Sequence, residues 1–230
     1  MANSKQAAAL WTGGKDCNLA LYEAKAAGYN ITSLVTFVMG EGKFKAHPIE
    51  IMKLQAEALS LPYFLIPVGE PYKESYEKAI KELKEQQGID TLITGDIAEV
   101  HGNSNWITDR SKPAGVNVVL PLWHLDREQL LKRLFSLNFK VIFSCVKEPW
   151  FTAEWLGREL NENTVEEMRT IDNLDLCGEQ GEFHTLVLDG PSYKSAIEIE
   201  SFIPQKEDEI FFMDMKGVSL KHKREYEPTH

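Results

Sequence analysis

The tightest constraint on how this chain folds is a switch of period close to its start. An apolar run, Ala7 to Trp11, ends at Thr12-Gly13-Gly14-Lys15-Asp16. From Lys15 to Ala27 the apolar positions Leu19, Ala20, Ala24 and Ala27 share one helical face, closed by Gly28 at a helix-ending position. That is a strand, a glycine turn, a helix and a stop. The alternation continues through the first two-thirds of the sequence. Further strands are predicted at Ile31 to Val38, Tyr63 to Pro67, Thr91 to Thr94, Val116 to Leu120 and Val141 to Val146. Helices are predicted between them over Pro48 to Ser60, Tyr72 to Gln87 and Asp126 to Ser136, with Pro48 in a first turn, Gly88 as a stop and Asp126 as a cap. Alternating strands and helices of this kind build an α/β fold with an open, mostly parallel, doubly wound sheet.

The texture changes after Val146. Glu148-Pro149-Trp150 reads as a break, followed by two polar helices, Thr152 to Leu160 and Thr164 to Leu174. The strand-like segments Phe183 to Leu188, Ala196 to Phe202 and Ile210 to Met215 then follow without intervening helices. The expected organisation is a first domain over residues 1–147 and a smaller C-terminal α+β domain over 148–230. With 230 residues, 43% of them hydrophobic, the chain can bury cores for both.

The formal net charge of -10 argues against a broad nucleic-acid surface, which needs clustered Lys and Arg. The one dense basic run, Lys221-His222-Lys223-Arg224, reads as a solvated tail. No apolar run reaches membrane-spanning length and Met1 to Gln6 is polar, so neither a membrane nor an export address is expected. Three widely spaced cysteines, Cys17, Cys145 and Cys177, lack metal or redox spacing, which fits reduced thiols in a cytoplasm.

At the glycine turn, backbone able to approach closely and free helix N-terminal amides are what a polyphosphate needs, and Lys15 adds positive charge. Neither a Walker pattern nor a G-x-G-x-x-G fingerprint is present, because Asp16 rather than Ser or Thr follows Lys15. The stretch Thr12-Gly13-Gly14-Lys15-Asp16-Cys17 resembles the Ser-Gly-Gly-Lys-Asp-Ser signature of the N-type ATP pyrophosphatases, the PP-loop family. The resemblance implies an adenine nucleotide alpha hydrolase-like fold and cleavage of ATP to AMP and pyrophosphate. It implies nucleotide contacts from Thr12, Gly13, Gly14, Lys15, Asp16, Cys17 and Asn18, joined by His47 and by Gly95 and Asp96 at the end of a strand. Asp16 and Asp96 are then the candidates to hold Mg2+ across the phosphates. Thr12 keeps a hydroxyl. Cys17 replaces a hydroxyl donor with a weaker thiol, and reads either as a small residue tolerated in a tight turn or as a reactive nucleophile or sulfur carrier.

A second match lies in Cys177-Gly178-Glu179-Gln180-Gly181-Glu182-Phe183-His184-Thr185, which is similar to the Glu-Gly-Gly-Glu-aromatic-Glu-Thr signature of diphthine-ammonia ligases. Trp155-Leu156-Gly157-Arg158 also matches that family's pattern. The resemblance implies a reaction in which ATP adenylates a carboxylate and ammonia displaces AMP to leave an amide. Lys15, Asp16, Glu179 and Glu182 are then the catalytic candidates, the two glutamates orienting or deprotonating ammonium. Glu179, Gly181, Glu182, His184, Thr185 and Arg158 are the substrate-binding candidates. The implied partners are ammonia and a carboxylate, either diphthine of elongation factor 2 or a small molecule of corrinoid type. Three departures stand on the acceptor side: His184 where that family carries Glu, Gln180 where it carries Gly, and Ala98 to Trp106 in place of a basic run. Sulfur transfer to tRNA and a non-catalytic nucleotide sensor are the alternatives from other classes. A homodimer through the C-terminal strands is compatible with the sequence.

Overall fold

The computed structural model describes residues 6–40, 44–99 and 104–223. Of the segments discussed above, residues 1–5, 100–103 and 224 lie outside the described residues. Strand β1 (Gln6–Leu10) carries three consecutive alanines, Ala7, Ala8 and Ala9, all essentially inaccessible to solvent. Side chains this small let a central strand be covered closely on both faces, as parallel sheets require. Helix α1 (Lys15–Ala26) starts directly after Gly14, without a side-chain cap, and the chain leaves it at Gly28 with φ of 88°. There follow β2 (Asn30–Met39), α2 (Ile49–Leu59), β3 (Tyr63–Val68), α3 (Tyr72–Gln87), β4 (Ile89–Ile93), the short α4 (Trp106–Ser111) and β5 (Asn117–Val119). Gly88 ends α3 in the left-handed region, and Asp126 caps α5 (Arg127–Ser136) through the Gln129 amide. Both match the expectations from sequence.

The first sheet has five strands in the order β3-β2-β1-β4-β5, all parallel. The chain moves outward from β1 through β2 to β3, then returns to the other side of β1 with β4. The carboxyl ends of β1 and β4 therefore flank the switch point at which open α/β sheets bind ligands. The glycine turn leaves β1 there, and Thr94-Gly95-Asp96 leaves β4 there. Gly95 has a steric reason to be glycine: a Cβ on it would stand 2.6 Å from the Asp16 carbonyl carbon and the Cys17 nitrogen.

The second sheet is antiparallel, in the order β7-β6-β9-β8, formed by β6 (Lys140–Lys147), β7 (Phe183–Asp189), β8 (Ser195–Glu207) and β9 (Ile210–His222). This corrects one expectation. The run Val141 to Val146, read as a strand of the parallel sheet, pairs instead with β7 and β9. Val141, Phe143 and Val146 are buried completely, and a continuous apolar run looks alike in either kind of sheet. The division between the sheets thus falls ahead of β6, upstream of the break at Glu148. The helix expected over Thr152 to Leu160 is only a 3-10 turn, Ala153–Trp155, because the chain then lies along β6. There Gly157 donates to the Phe143 carbonyl at 2.9 Å and Leu160 to that of Val141 at 2.8 Å. Helix α6 (Glu162–Met168) replaces the longer one expected over Thr164 to Leu174. Among the described residues, no helix is long and apolar enough to cross a membrane.

One hydrophobic core runs through both sheets and includes Trp11, Leu34 and Met52 with Phe143, Phe151 and Leu186. Within it the polar side chain of Gln55, on α2, is completely buried. Its amide donates to the carbonyls of Gly13 and Val187, both at 2.8 Å, and accepts from the Trp11 indole at 2.9 Å. The Val187 N–H donates in turn to the Gly13 carbonyl at 3.0 Å. The glycine turn is thereby joined to β7 of the other sheet. Gln55→Leu keeps the volume but strips the Trp11 N–H of its acceptor, and the expected cost is on the order of 2 kcal/mol or more in urea unfolding.

Candidate active site

Lys15 defines the site. Its side chain is almost wholly buried, and its ammonium donates to the Asp16 carboxylate at 2.8 Å and to the Cys177 carbonyl at 2.5 Å. The Phe183 ring lies below it, 5.7 Å from the nitrogen. Burial by itself lowers a lysine pKa, but the field of Asp16, with Cys177 and Glu179 adding to it, outweighs that loss and holds Lys15 above its ordinary range. The lysine is a fixed positive charge at the N-terminus of α1. Its own backbone N–H donates to the Thr185 hydroxyl at 3.1 Å.

Around it the turn residues divide into two groups. Thr12, Gly14, Lys15 and Asp16 face open space, while Gly13 and Asn18 work from behind. The Gly13 carbonyl is held by Gln55 and β7, and the residue has φ of 81°. The Asn18 amide donates to the Gly14 carbonyl at 2.9 Å and accepts from the Tyr193 hydroxyl at 2.7 Å. Cys17 settles into the concave side of the turn. Its thiol lies 3.3 Å from the Gly14 carbonyl, and the Thr12 hydroxyl approaches its sulfur at 3.7 Å. Burial raises the pKa of Cys17, with contacts from Thr12 and Gly13 opposing, so the helix N-terminus does not make it a thiolate.

Two cavities meet at this turn. The first, about 360 Å³, has apolar walls from Leu10, Val35, Phe37 and Ile107 with Tyr76 beside them, and reaches Asp96. The second, about 440 Å³, lies between the turn and the loop ahead of β7, and is lined by Gly14, His47, Gly181, Phe183, His184 and Thr185. Thr12, Asp16 and Glu179 line both. An apolar slot leading to helix N-terminal amides suits a nucleoside whose phosphates lie at Gly14 and Lys15. Asp96 is oriented by Thr94 at 2.8 Å and by the Asn105 amide. No group of three or more His, Cys, Asp or Glu gathers as a metal site among the described residues. Asp16 and Asp96 on one cavity are nonetheless the number of carboxylates that magnesium takes when phosphate oxygens complete its shell.

On the wall of the second cavity, His47 and His184 meet edge to face, their ring centroids 5.2 Å apart. Burial, with His184 and Lys15 adding, pushes the His47 pKa down to about 3. Burial also lowers that of His184, with Lys15 contributing. Both rings are neutral near pH 7, and the buried Nδ1 of His47 has no hydrogen-bond partner among the described residues. Glu179 sits at the rim, where desolvation raises its pKa to about 7, Asp16 and Asp175 adding to the rise and Lys15 and Arg127 opposing it.

Two expected members of the site are not brought into it. Glu182 is completely buried and its carboxylate accepts from loop amides, so it is not free to meet ammonia. Arg158 lies elsewhere, paired with Glu167 at 2.6 Å and packed over Trp155 at 4.1 Å. Several residues that matter here were not singled out from the sequence. Gln55 carried a signal, as a polar side chain on the otherwise apolar face of α2 formed by Ile51, Met52, Ala56 and Leu59. Tyr193, the Cys177 carbonyl and Arg127 carried none, because only the fold brings them near.

Comparison with known proteins finds matches over nearly the whole chain. The diphthamide synthase N-terminal domain matches residues 5–117, and the diphthamide synthase C-terminal domain matches residues 126–225. The chain belongs to the diphthamide synthase family. A diphthine--ammonia ligase of Bos taurus is 26% identical over 225 residues, covering 84% of this chain and 82% of the bovine one. Another, from Schizosaccharomyces pombe, is 23% identical over 246 residues, covering 95% of this chain, which spans 40% of the yeast protein. Among solved structures, a protein of Methanocaldococcus jannaschii described as a predicted subunit of tRNA methyltransferase aligns with a TM-score of 0.44 at 16% identity. That alignment covers 81% of this chain and 97% of the other. Within the diphthamide synthase family, then, this chain carries its cysteines as buried thiols: Cys17, Cys145 and Cys177 are all free and buried. Burial lifts Cys145 to about 11 and Cys177 to about 12. A thiol reagent at pH 8 is expected to label none of the three rapidly until urea unfolds the chain; fast labelling of Cys17 in the folded protein would refute the inert reading.

Proposed function

We propose that this chain is an ATP-dependent amide ligase that adenylates a carboxylate and then transfers ammonia to it. The observation that carries the proposal is the sharing of Asp16 and Glu179 between the nucleotide-shaped cavity and the acceptor cavity. A carboxylate oxygen attacks the α-phosphorus, the bond to the β-phosphate breaks and pyrophosphate leaves. Ammonia then attacks the acyl carbon, the bond to AMP breaks, and the amide nitrogen gives up one proton. In this reading Lys15 and the α1 amides stabilise charge on the phosphates without reorganising, since Lys15 is already locked in place. Magnesium, when bound by Asp16 and Asp96, neutralises phosphate charge. Glu179, titrating near neutrality, accepts the proton from ammonium or from the attacking nitrogen.

One observation favours a small-molecule acceptor over diphthine as a second reading. His184 faces the acceptor cavity as a neutral ring where diphthine-ammonia ligases resemble one another in carrying a carboxylate, so the charge offered to the acceptor differs. Sulfur transfer draws no support from three buried thiols with raised pKa values.

Incubation with ATP, magnesium, ammonium and a panel of carboxylates, diphthine-bearing elongation factor 2 among them, is expected to release AMP and pyrophosphate in step with amide. No AMP with any acceptor would sink the proposal. Lys15→Met is expected to lower kcat by roughly 100-fold or more. A base with a pKa of about 7 is protonated and idle below that value, so the rate of amide formation should rise with pH through 7. Glu179→Gln should abolish that rising limb while leaving ATP binding, read by calorimetry, in place.

A further inference from the structure

The chain between Asp175 and Glu182 is folded around a carboxylate. One Glu182 carboxylate oxygen accepts from the Asp175 N–H at 3.1 Å and the other from the Gln180 N–H at 3.0 Å. The Glu182 carbonyl accepts from the Lys147 N–H at 2.9 Å, which ties this point to β6. Within the ring so formed, Gly178 donates to the Asp175 carbonyl at 2.9 Å and Gly181 to that of Gly178 at 3.1 Å. The Asp175 carboxylate accepts from the Cys177 N–H at 2.7 Å and meets Arg127 of α5 at 3.5 Å. Gly178 has φ of 76°, and a Cβ there would stand 2.8 Å from the Phe183 carbonyl oxygen. What this construction delivers is the Cys177 carbonyl on the Lys15 ammonium, at 2.5 Å, and Glu179 on the rim of both cavities.

We propose that Glu182 is the positioning residue of this site: its buried carboxylate gathers the loop amides and so sets Glu179 and the Cys177 carbonyl against Lys15. The inference deepens the ligase reading and takes the role of Glu179 from it. A carboxylate only accepts hydrogen bonds, which is what two inward-pointing N–H groups need. Glutamine at 182 would turn an NH₂ towards one of them, exchanging a hydrogen bond for donor–donor repulsion in a buried place. The groups that face Glu179 are Lys15 and Asp16 from α1, Arg127 from α5 and Asp175 within the loop. Their distances, and the exclusion of water from the Glu179 carboxyl, depend on the shape of the loop. A residue that only stabilised the fold would leave the titration of Glu179 unchanged in whatever fraction remained folded.

The test is an NMR titration of glutamate side chains labelled with carbon-13 at the carboxyl, in the unsubstituted protein and in Glu182→Gln. It needs neither ATP nor an acceptor, so it reports on positioning even where the unsubstituted protein forms no AMP, the separate result that defeats the ligase reading. Glu179 is expected to titrate with a midpoint near 7 in the unsubstituted protein. In folded Glu182→Gln the midpoint should fall by about one pH unit or more, towards ordinary glutamate. Where amide formation is measured, kcat should drop about tenfold or more. A folded Glu182→Gln in which Glu179 titrates as before overturns the proposal, and so does an ordinary glutamate midpoint in the unsubstituted protein. Should Glu182→Gln fail to fold, amide hydrogen exchange in the unsubstituted protein decides. The Asp175 and Gln180 N–H groups are expected to be protected by roughly 100-fold, and exchange at the rate of a free peptide overturns the proposal.

Discussion

The structure depends on keeping an ammonium charged where there is almost no water. Lys15 has lost its hydration, a cost repaid only if its three donors find oriented partners. It finds Asp16 in the next residue, the Cys177 carbonyl from the loop ahead of β7, and the face of Phe183. Two of the three come from the far side of the domain division. The charge held at the glycine turn is therefore not a property of the turn alone. It exists in this form because the loop ahead of β7 is folded in place.

The same dependence appears in uncharged form. Gly13 and Lys15 each surrender one backbone group to β7, through Val187 and Thr185, and Gln55 fills the junction with both donors of its amide engaged. Such a fully satisfied polar cluster within an apolar core resists small displacements, because any shift leaves a buried group unpaired. The switch point between β1 and β4 is where open α/β sheets generally bind ligands. The clamp from β7 determines how rigidly the binding groups wait there.

Much of this was legible before any coordinates. The strand–turn–helix opening, the stops at Gly28 and Gly88 and the cap at Asp126 follow from local chemistry, which residues close in sequence decide among themselves, and the alternation of strands with helices indicated that the first sheet is parallel, though not the order of its strands. The errors have a common cause. Val141 to Val146 is buried on both faces, and an almost wholly apolar run of this kind carries no sign of which sheet receives it. Arg158 and Glu182 stand in a motif-like context, but whether a side chain faces a cavity or the protein interior is a question of orientation, and adjacent positions answer it oppositely. In the same loop Glu179 points out and Glu182 points in, three residues apart. His47 and His184 were both singled out, yet their meeting edge to face is set by the packing of α2 against the second sheet.

The construction of the turn also bears on how proteins of this architecture can diverge. In many α/β enzymes the nucleotide-binding half is a self-contained cassette that can be fused to new partner domains. Here the first sheet taken alone would expose the Trp11–Gln55 junction and leave Lys15 paired with Asp16 only. Its glycine turn is completed by a strand lying more than 160 positions further along the chain, as the Lys15–Thr185 bond shows. Exchange of the whole C-terminal half would therefore take partners away from both Gly13 and Lys15, and so would any substitution that unfolds the loop ahead of β7, so the two halves are constrained to change together.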